Sequence, residues 1–294
     1  MRLLTTSEAA EYLRLKERKL YELVAEGAIP CTKVTGKWLF PKDELDRWLN
    51  DSLTRPDGMS RADPMPIVGG SHDPLLEWAL RESGSGLAIL AEGSEAGLAR
   101  YQRGELVAAG IHLHSMLDES TDANLEAIQN LPGLHDAVLL AFVRREVGFL
   151  TAVGNPLGIK SLEDVERSHA RMAIRPEGAG AQLLLKALIG RTRTAADRIA
   201  FVEPPCPTGA DVAQAIKVGR ADCGIAVRAV ADAAALDFVP IMSERFDLVV
   251  RQREYFRPPM QALIKFLGNR AFISRAKEMG GYDTSDAGRV RAAP

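Results

Sequence analysis

The sequence predicts a multidomain chain. A small, mainly helical module with a two-stranded wing occupies residues 1–50, and a larger α/β domain begins at residue 67. Three observations carry this reading. Two short amphipathic helices, a glycine-turned hairpin and a third helix follow one another within the first fifty residues. Residues 51–66 (DSLTRPDGMSRADPMP) then hold three prolines and no helical or strand periodicity, which makes them a linker. Beyond them, short apolar runs alternate with amphipathic helices, the pattern of a mainly parallel sheet.

The first helix opens on Thr5-x-x-Glu8, the spacing of a capping box, and sets Ala9, Ala10 and Leu13 on one stripe. A polar break at Arg14-Leu15-Lys16 separates it from a second helix over 17–26. There Leu20, Leu23 and Val24 face inward, Arg18, Lys19 and Tyr21 face outward, and Gly27 is the stop. Cys31 to Phe40 alternates around Thr35-Gly36-Lys37 as a two-stranded wing. Pro41 opens a third helix whose Leu45, Trp48 and Leu49 close the core.

The phrases TTSEAAEYL, RKLYELVAEGAIP and GKWLFPKDELDRWL, in that order, resemble the winged helix-turn-helix of excisionase and MerR-like DNA-binding proteins. The resemblance implies that the second helix enters the major groove of double-stranded DNA. Arg18, Lys19 and Tyr21 would then contact DNA, and Lys33 and Lys37 the flanking phosphates. The bland reading of the same residues is a solvated charged helix.

Net charge bounds the affinity. The chain carries −2 overall, and its first fifty residues hold nine Lys or Arg against eight Asp or Glu. Sequence-independent attraction to DNA is therefore weak, and useful affinity calls for two modules acting together, hence a homodimer. Cys31, Cys206 and Cys223 are isolated, so neither a disulfide framework nor a metal site is expected. No secretory signal is visible and no apolar run approaches the roughly 20 residues that span a bilayer. The expectation is a cytoplasmic protein without cofactors.

In the larger domain, strands are expected at 67–68, 87–91 and 107–113, with helices at 74–81 and 96–102. A second set follows: strands 137–143, 147–153 and 170–174, helices 162–165, 181–189 and 211–218, strands 223–227, 238–242 and 248–250, and a closing helix 259–267. The phrases GSEAGLARYQRGELVAAGIHL, VGNPLGIKSLEDV, AIRPEGAGAQLLLKALI and VGRADCGIAV resemble type II periplasmic-binding-protein folds, in particular the molybdate-type domains fused behind a helix-turn-helix. That resemblance implies a two-lobed domain over 67–268, with lobe 1 at about 67–145 and 240–268 and lobe 2 at about 148–238. The chain would cross between lobes near 147–153 and 238–250, and residues 269–294 would form a C-terminal segment ending in a disordered tail.

Parallel α/β lobes bind ligands where strand ends lead into helix N-termini with free N–H groups. Four such turns stand out: 69–73, 92–97, 175–181 and 207–210. They nominate Ser71, His72, Ser94, Arg175, Gly178, Ala179, Gly180 and Thr208 as ligand-binding. Arg175 adds a charge-assisted contact to the helix start beside it. Ser71 and Thr208 are equally read as helix caps, and His72, His112 and His114 as surface or core histidines. The related domains carry Ser and Thr in the loop matching 175–182, where this chain has Ala179 and Ala181. That difference favours a ligand larger or more apolar than a bare oxyanion, although molybdate or tungstate is what the resemblance implies.

No G-x-S-x-G, H-E-x-x-H or Walker lysine motif appears, and the carboxylates Glu244 and Asp247 read as structural, so a non-enzyme is expected. The leading function is a ligand-responsive DNA-binding transcriptional regulator sensing a small anion, either a molybdate-like oxyanion or a small carboxylate. The alternatives are an excisionase-like architectural protein with a non-sensing rear domain and a small-molecule enzyme on the same fold.

Overall fold

A computed structural model of the chain describes residues 2–34, 36–52, 63–113, 122–130, 134, 136–192 and 196–293. They fall into two compact units, 1–62 and 63–294. Residues 53–62 of the expected linker, Thr35 of the wing turn and His114 lie outside the described residues.

In the first unit β1 (Leu3–Thr5), α1 (Thr6–Tyr12), α2 (Glu17–Ala25), β2 (Thr32–Val34), β3 (Lys37–Pro41) and α3 (Lys42–Ser52) follow in order. Thr5 and Glu8 form a reciprocal capping box at the start of α1. The wing is a three-stranded antiparallel sheet, β1-β3-β2, because the residues before α1 also pair with β3. Leu4, Ala9, Ala10, Leu20, Ile29, Phe40 and Leu45 are the buried core, with Leu23, Val24 and Trp48 packed against it. Leu49, expected inside, is 39% exposed; its neighbour Trp48 takes the inward position, packed against the core with its indole N–H donating to the Ala28 carbonyl at 2.8 Å.

The second unit opens with β4 (Met65–Gly70), α4 (Pro74–Glu82), β5 (Ala88–Ala91), α5 (Ser94–Gln102), β6 (Leu106–Ile111) and α6 (Ala123–Asn130). Next come β7 (Ala137–Thr151), α7 (Leu162–Arg167), β8 (Arg171–Ala173), α8 (Gly180–Arg191), β9 (Ala200–Val202), α9 (Gly209–Lys217), β10 (Cys223–Val227) and α10 (Arg228–Ala234). It ends with β11 (Asp237–Arg251), α11 (Gln252–Tyr255), α12 (Pro258–Leu267), α13 (Arg270–Met279), β12 (Tyr282–Asp283) and β13 (Val290–Ala292). The strand β4 begins inside the expected linker. Met65 donates to the Glu105 carbonyl at 3.0 Å, and the register shift between Met65 and Val68 accommodates Pro66, which has no N–H to give the ladder.

One sheet runs through both lobes in the order β5-β4-β6-β11-β7-β10-β8-β9. Its flanks are parallel and its three central pairings are antiparallel, so it is mixed rather than mainly parallel. The two 15-residue strands β7 and β11 are the reason, because they pair along their whole length and each serves both lobes. Four separate strands were expected here. Arg144-Arg145-Glu146 and Ser243-Glu244-Arg245 interrupt the apolar runs, but these polar triplets lie opposite each other, with Arg145 facing Glu244, so the ladder passes through them. Lobe 1 packs Leu75, Leu76, Phe142, Phe246 and Phe272 under α4, α12 and α13. Lobe 2 packs Phe149, Leu162, Met172, Leu184 and Ile225 against α7 and α8.

The C-terminal segment is ordered, contrary to the expected disordered tail. In lobe 1 the side of β7 away from β11 has no neighbour from the α/β repeat. The strands β12 and β13 pair there and cover an edge that would otherwise be open. Arg291 of β13 pairs with Asp247 and Asp122, and the Asn124 amide donates to Asp247 at 2.8 Å. Burial nevertheless raises the Asp247 carboxyl above its ordinary value. A raised folded pKa means that this group favours the fold at low pH and loses that contribution as the pH rises through it.

Arg291→Ala leaves Asp247 buried with half its partners and is expected to lower unfolding free energy by roughly 3 kcal/mol in urea denaturation. Adding Asp247→Asn recovers part of the loss, and a neutral Arg291→Ala contradicts the edge-sealing role of this segment.

Candidate DNA-contacting helix and ligand cleft

On α2 the apolar positions point into the small core, which leaves the opposite face to Arg18, Lys19 and Tyr21, all exposed. The Arg18 side chain is 92% exposed, and both it and Lys19 reach Glu22, at 3.4 and 3.1 Å. Such pairs are weak and break readily for a phosphate or a base edge. On the wing, Lys33 lies over the Trp38 ring at 5.2 Å, and Lys33 and Lys37 are both exposed. The five nominated residues therefore lie on the exposed face of one helix and on one two-stranded ribbon.

The cleft of the second unit is built where β7 and β11 cross between lobes. Arg145 is 3% exposed there, and its guanidinium lies 2.7 Å from Asp73 and 2.7 Å from Glu244, with Phe246 4.5 Å beneath it. Asp73 also caps α4, accepting from the Leu75 and Leu76 amides, and accepts from the Tyr282 hydroxyl at 3.1 Å. His112 Nδ1 lies 3.2 Å from Glu244. Burial works against the Arg145 charge, but Glu244 and Asp73 outweigh it and hold the pKa above the usual arginine value. Burial beside Asp73 keeps Tyr282 protonated.

A cavity of about 30 Å³ sits between the lobes, with Ser71, His72, His112, Arg145 and Glu244 on one side and Arg175, Ala179, Gly180 and Gly209 on the other. Its volume is room for one or two waters or a small polar head. The lobes approach closely above it: the Glu95 amide donates to the Gly178 carbonyl at 3.5 Å, and a Cβ on Gly93 would come within 3.0 Å of that oxygen. Gly180 is required by the same closeness, because a Cβ there would lie 1.9 Å from the His112 ring.

Arg175 donates from Nη2 to the Pro207 carbonyl at 2.7 Å, and its buried Nε has no partner among the described residues. Burial, with a smaller push from Arg145, brings its pKa down to about 10. A depressed pKa on a cation means that the fold bears the cost of the charge at neutral pH, relieved only as the pH rises above about 10. A bound anion would offset the same cost.

Of the nominated ligand residues, Ser71, His72, Arg175, Ala179 and Gly180 line the cavity. The other three do not. Ser94 is fully buried, its oxygen 2.7 Å from the Ser71 hydroxyl and accepting from the His112 amide at 3.1 Å, so it orients cavity walls rather than forming one. Gly178 turns its carbonyl to the other lobe at a φ of 75°. The Thr208 hydroxyl donates to Asp211 at 2.6 Å in a capping box that starts α9. Sequence reading passed over Arg145, and took His112 as a surface or core histidine and Glu244 as structural only. The available signal was the pair of charged triplets interrupting two apolar strands.

Two α/β lobes joined by a pair of long shared strands around a charged cleft define a binding-protein fold, here preceded by a winged helix-turn-helix. Family models agree: a PBP superfamily domain matches residues 76–268 and a helix-turn-helix domain matches 3–52. The chain belongs to the PBP superfamily. It is 24% identical over 305 residues to the uncharacterized protein YvgK of Bacillus subtilis strain 168, covering 97% of this chain and 96% of that protein. The tungstate ABC transporter structure of Geobacter sulfurreducens superposes with a TM-score of 0.52 at 11% identity, over 73% of this chain and 99% of that one. A hydrogen-peroxide-bound mutant of Corynebacterium glutamicum OxyR gives 0.51 at 14% identity, over 94% and 91%. These two likenesses concern the fold.

Gly180→Ala is expected to displace the His112 ring and lower stability by about 1–3 kcal/mol, the ordinary loss from overpacking, measured by thermal or urea unfolding. A neutral substitution would mean that the lobes do not meet as described.

Proposed function

We propose that the protein is a ligand-responsive transcriptional regulator, acting in the cytoplasm as a homodimer on double-stranded DNA and not as an enzyme. A small anion, either a molybdate- or tungstate-like oxyanion or a small carboxylate, binds in the interlobe cavity. The observation that carries the reading is Arg175: a partly buried guanidinium at the cavity wall, its Nε without a partner among the described residues, beside the N-terminus of α8. Free N–H groups and the dipole of that twelve-residue helix favour negative charge at the same place. The fold likeness to a tungstate transporter makes tungstate and molybdate natural first probes.

Ligand held from both sides favours the closed arrangement of lobes, and a change in closure alters how paired DNA modules are presented. Such coupling typically amounts to about 1–3 kcal/mol. Arg18, Lys19 and Tyr21 read DNA from α2, and Lys33 and Lys37 hold phosphates from the wing.

In a thermal-shift series on the full chain, a bound anion at 100 times its Kd is expected to add about 2.7 kcal/mol of stability. Arg175→Ala is expected to abolish that gain while changing ligand-free stability by no more than about 1 kcal/mol, the worth of its hydrogen bond to Pro207. Full anion-induced stabilisation in the variant places the ligand elsewhere. For the DNA face, Arg18→Ala is expected to weaken a selected duplex by about 1–3 kcal/mol if the side chain reads a base, whereas Lys37→Ala weakens all sequences alike and flattens the salt dependence. Unchanged DNA affinity in an Arg18/Lys19 double variant removes α2 as the reader.

A further inference from the structure

A second concavity adjoins the anion cavity and is not used by the reading above. It is an open groove of about 510 Å³ and shares His72, Pro74 and Val230 with the cavity as lining residues. One side is α9 and α10, which contribute Ala210, Ala213, Val230 and Ala233, and Met279 at the end of α13 closes the other. Glu77, Gln214 and Lys217 supply polar edges. The repeated alanines follow from helical spacing: Ala210 and Ala213 are three apart on α9, and Ala229 and Ala233 four apart on α10, so each helix presents a smooth small-residue strip to the groove.

The two spaces differ in size and chemistry. The anion cavity has room for one or two waters, enough for a small head group but not for a chain of carbons. Its charge supply is also limited. Arg145 is already matched by Asp73 and Glu244, and His72 lies 3.2 Å from Glu77. Arg175 is the one cavity-wall arginine without a carboxylate partner among the described residues, which suits one negative charge rather than two. Hydroxyl donors are sparse as well. Ser71 is the one hydroxyl side chain on the cavity wall among the described residues, and Ala179, Gly180, Ala181 and Gly209 stand at the two helix starts. A tetrahedral dianion relies on many donors around it, since each unmatched oxygen forfeits its hydration.

We propose that the ligand is an organic monoacid: its carboxylate sits at Arg175 and the α8 N-terminus, and its apolar arm lies in the alanine-lined groove between α9, α10 and Met279. The inference rests on the anion-cleft reading and specifies the class of ligand for it. The arm leaves the cavity past His72, Pro74 and Val230, the residues that belong to both spaces. Burial of aliphatic carbons on the Ala210, Ala213 and Ala233 surface then adds affinity that a bare oxyanion cannot gain.

The test is isothermal titration of the full chain with molybdate, tungstate, acetate, butyrate and hexanoate. Each added methylene is expected to tighten binding about two- to fourfold, with hexanoate tighter than either oxyanion. Ala233→Trp, at an exposed groove position, is expected to remove the advantage of hexanoate over acetate while leaving acetate binding unchanged. Ala210→Trp, also exposed, fills the groove from α9 and serves the same purpose should the first variant not fold. Affinity independent of chain length, or tighter binding of molybdate or tungstate with no response to either tryptophan, overturns the organic-arm proposal and leaves the anion cleft standing. Chain-length dependence that persists in Arg175→Ala with unchanged affinities overturns the cleft reading and the proposal together.

Discussion

The second unit depends on one buried cation. Arg145 sits midway along β7, where the sheet passes from one lobe to the other, clamped between Glu244 of β11 and Asp73 at the start of α4. Removing either carboxylate strands a charge in the interior, which costs far more than the pair contributes in net terms. The network therefore acts less as a source of stability than as a specification of register. It fixes which residue of β7 faces which residue of β11, and it ties the first helix of lobe 1 to the crossing point. The β-bulges at 240–242 and 246–247 flank this point, as expected where two long strands must bend to serve two lobes.

From that anchor the cleft follows. His112 touches Glu244 with its ring and Ser94 with its amide, and Ser94 in turn lies against Ser71, so the two cavity-wall residues His112 and Ser71 are positioned from the hinge outward. The approach of the two lobes is shaped by missing atoms: Gly93 of lobe 1 and Gly178 and Gly180 of lobe 2 let two backbones and an imidazole come together. On the lobe 2 wall Arg175 is a cation whose pKa burial lowers. Under the proposed function, a matching anion would offset that cost and so favour the arrangement of lobes that holds it.

Much of the fold was legible because it rests on local signals. The capping box at Thr5 places the first helix start, and periodicity separates the helical module from the α/β domain. What was not legible depends on pairing between distant residues. Arg144–Glu146 and Ser243–Arg245 look like loops until they are laid side by side, and the strands at 282–283 and 290–292 exist only because β7 offers them an open edge. The candidate site shows the same division. Its glycine turns and Arg175 could be read from spacing, whereas Ser94 and Thr208, equally polar and equally placed at helix starts, turn out to spend their hydroxyls internally. The linear sequence does not distinguish a hydroxyl that caps from one that binds.

Under the proposed function, occupancy of the cleft alters DNA binding by the helix-turn-helix module. The direct measurement is the affinity of the full chain for a duplex that it has itself selected in vitro, at fixed salt, with and without a saturating anion shown by titration to bind. A change of about 5- to 150-fold is expected, the range that typical coupling energies allow, and it should disappear in Arg175→Ala. A DNA affinity unmoved by an anion that demonstrably occupies the cleft would contradict the proposed function.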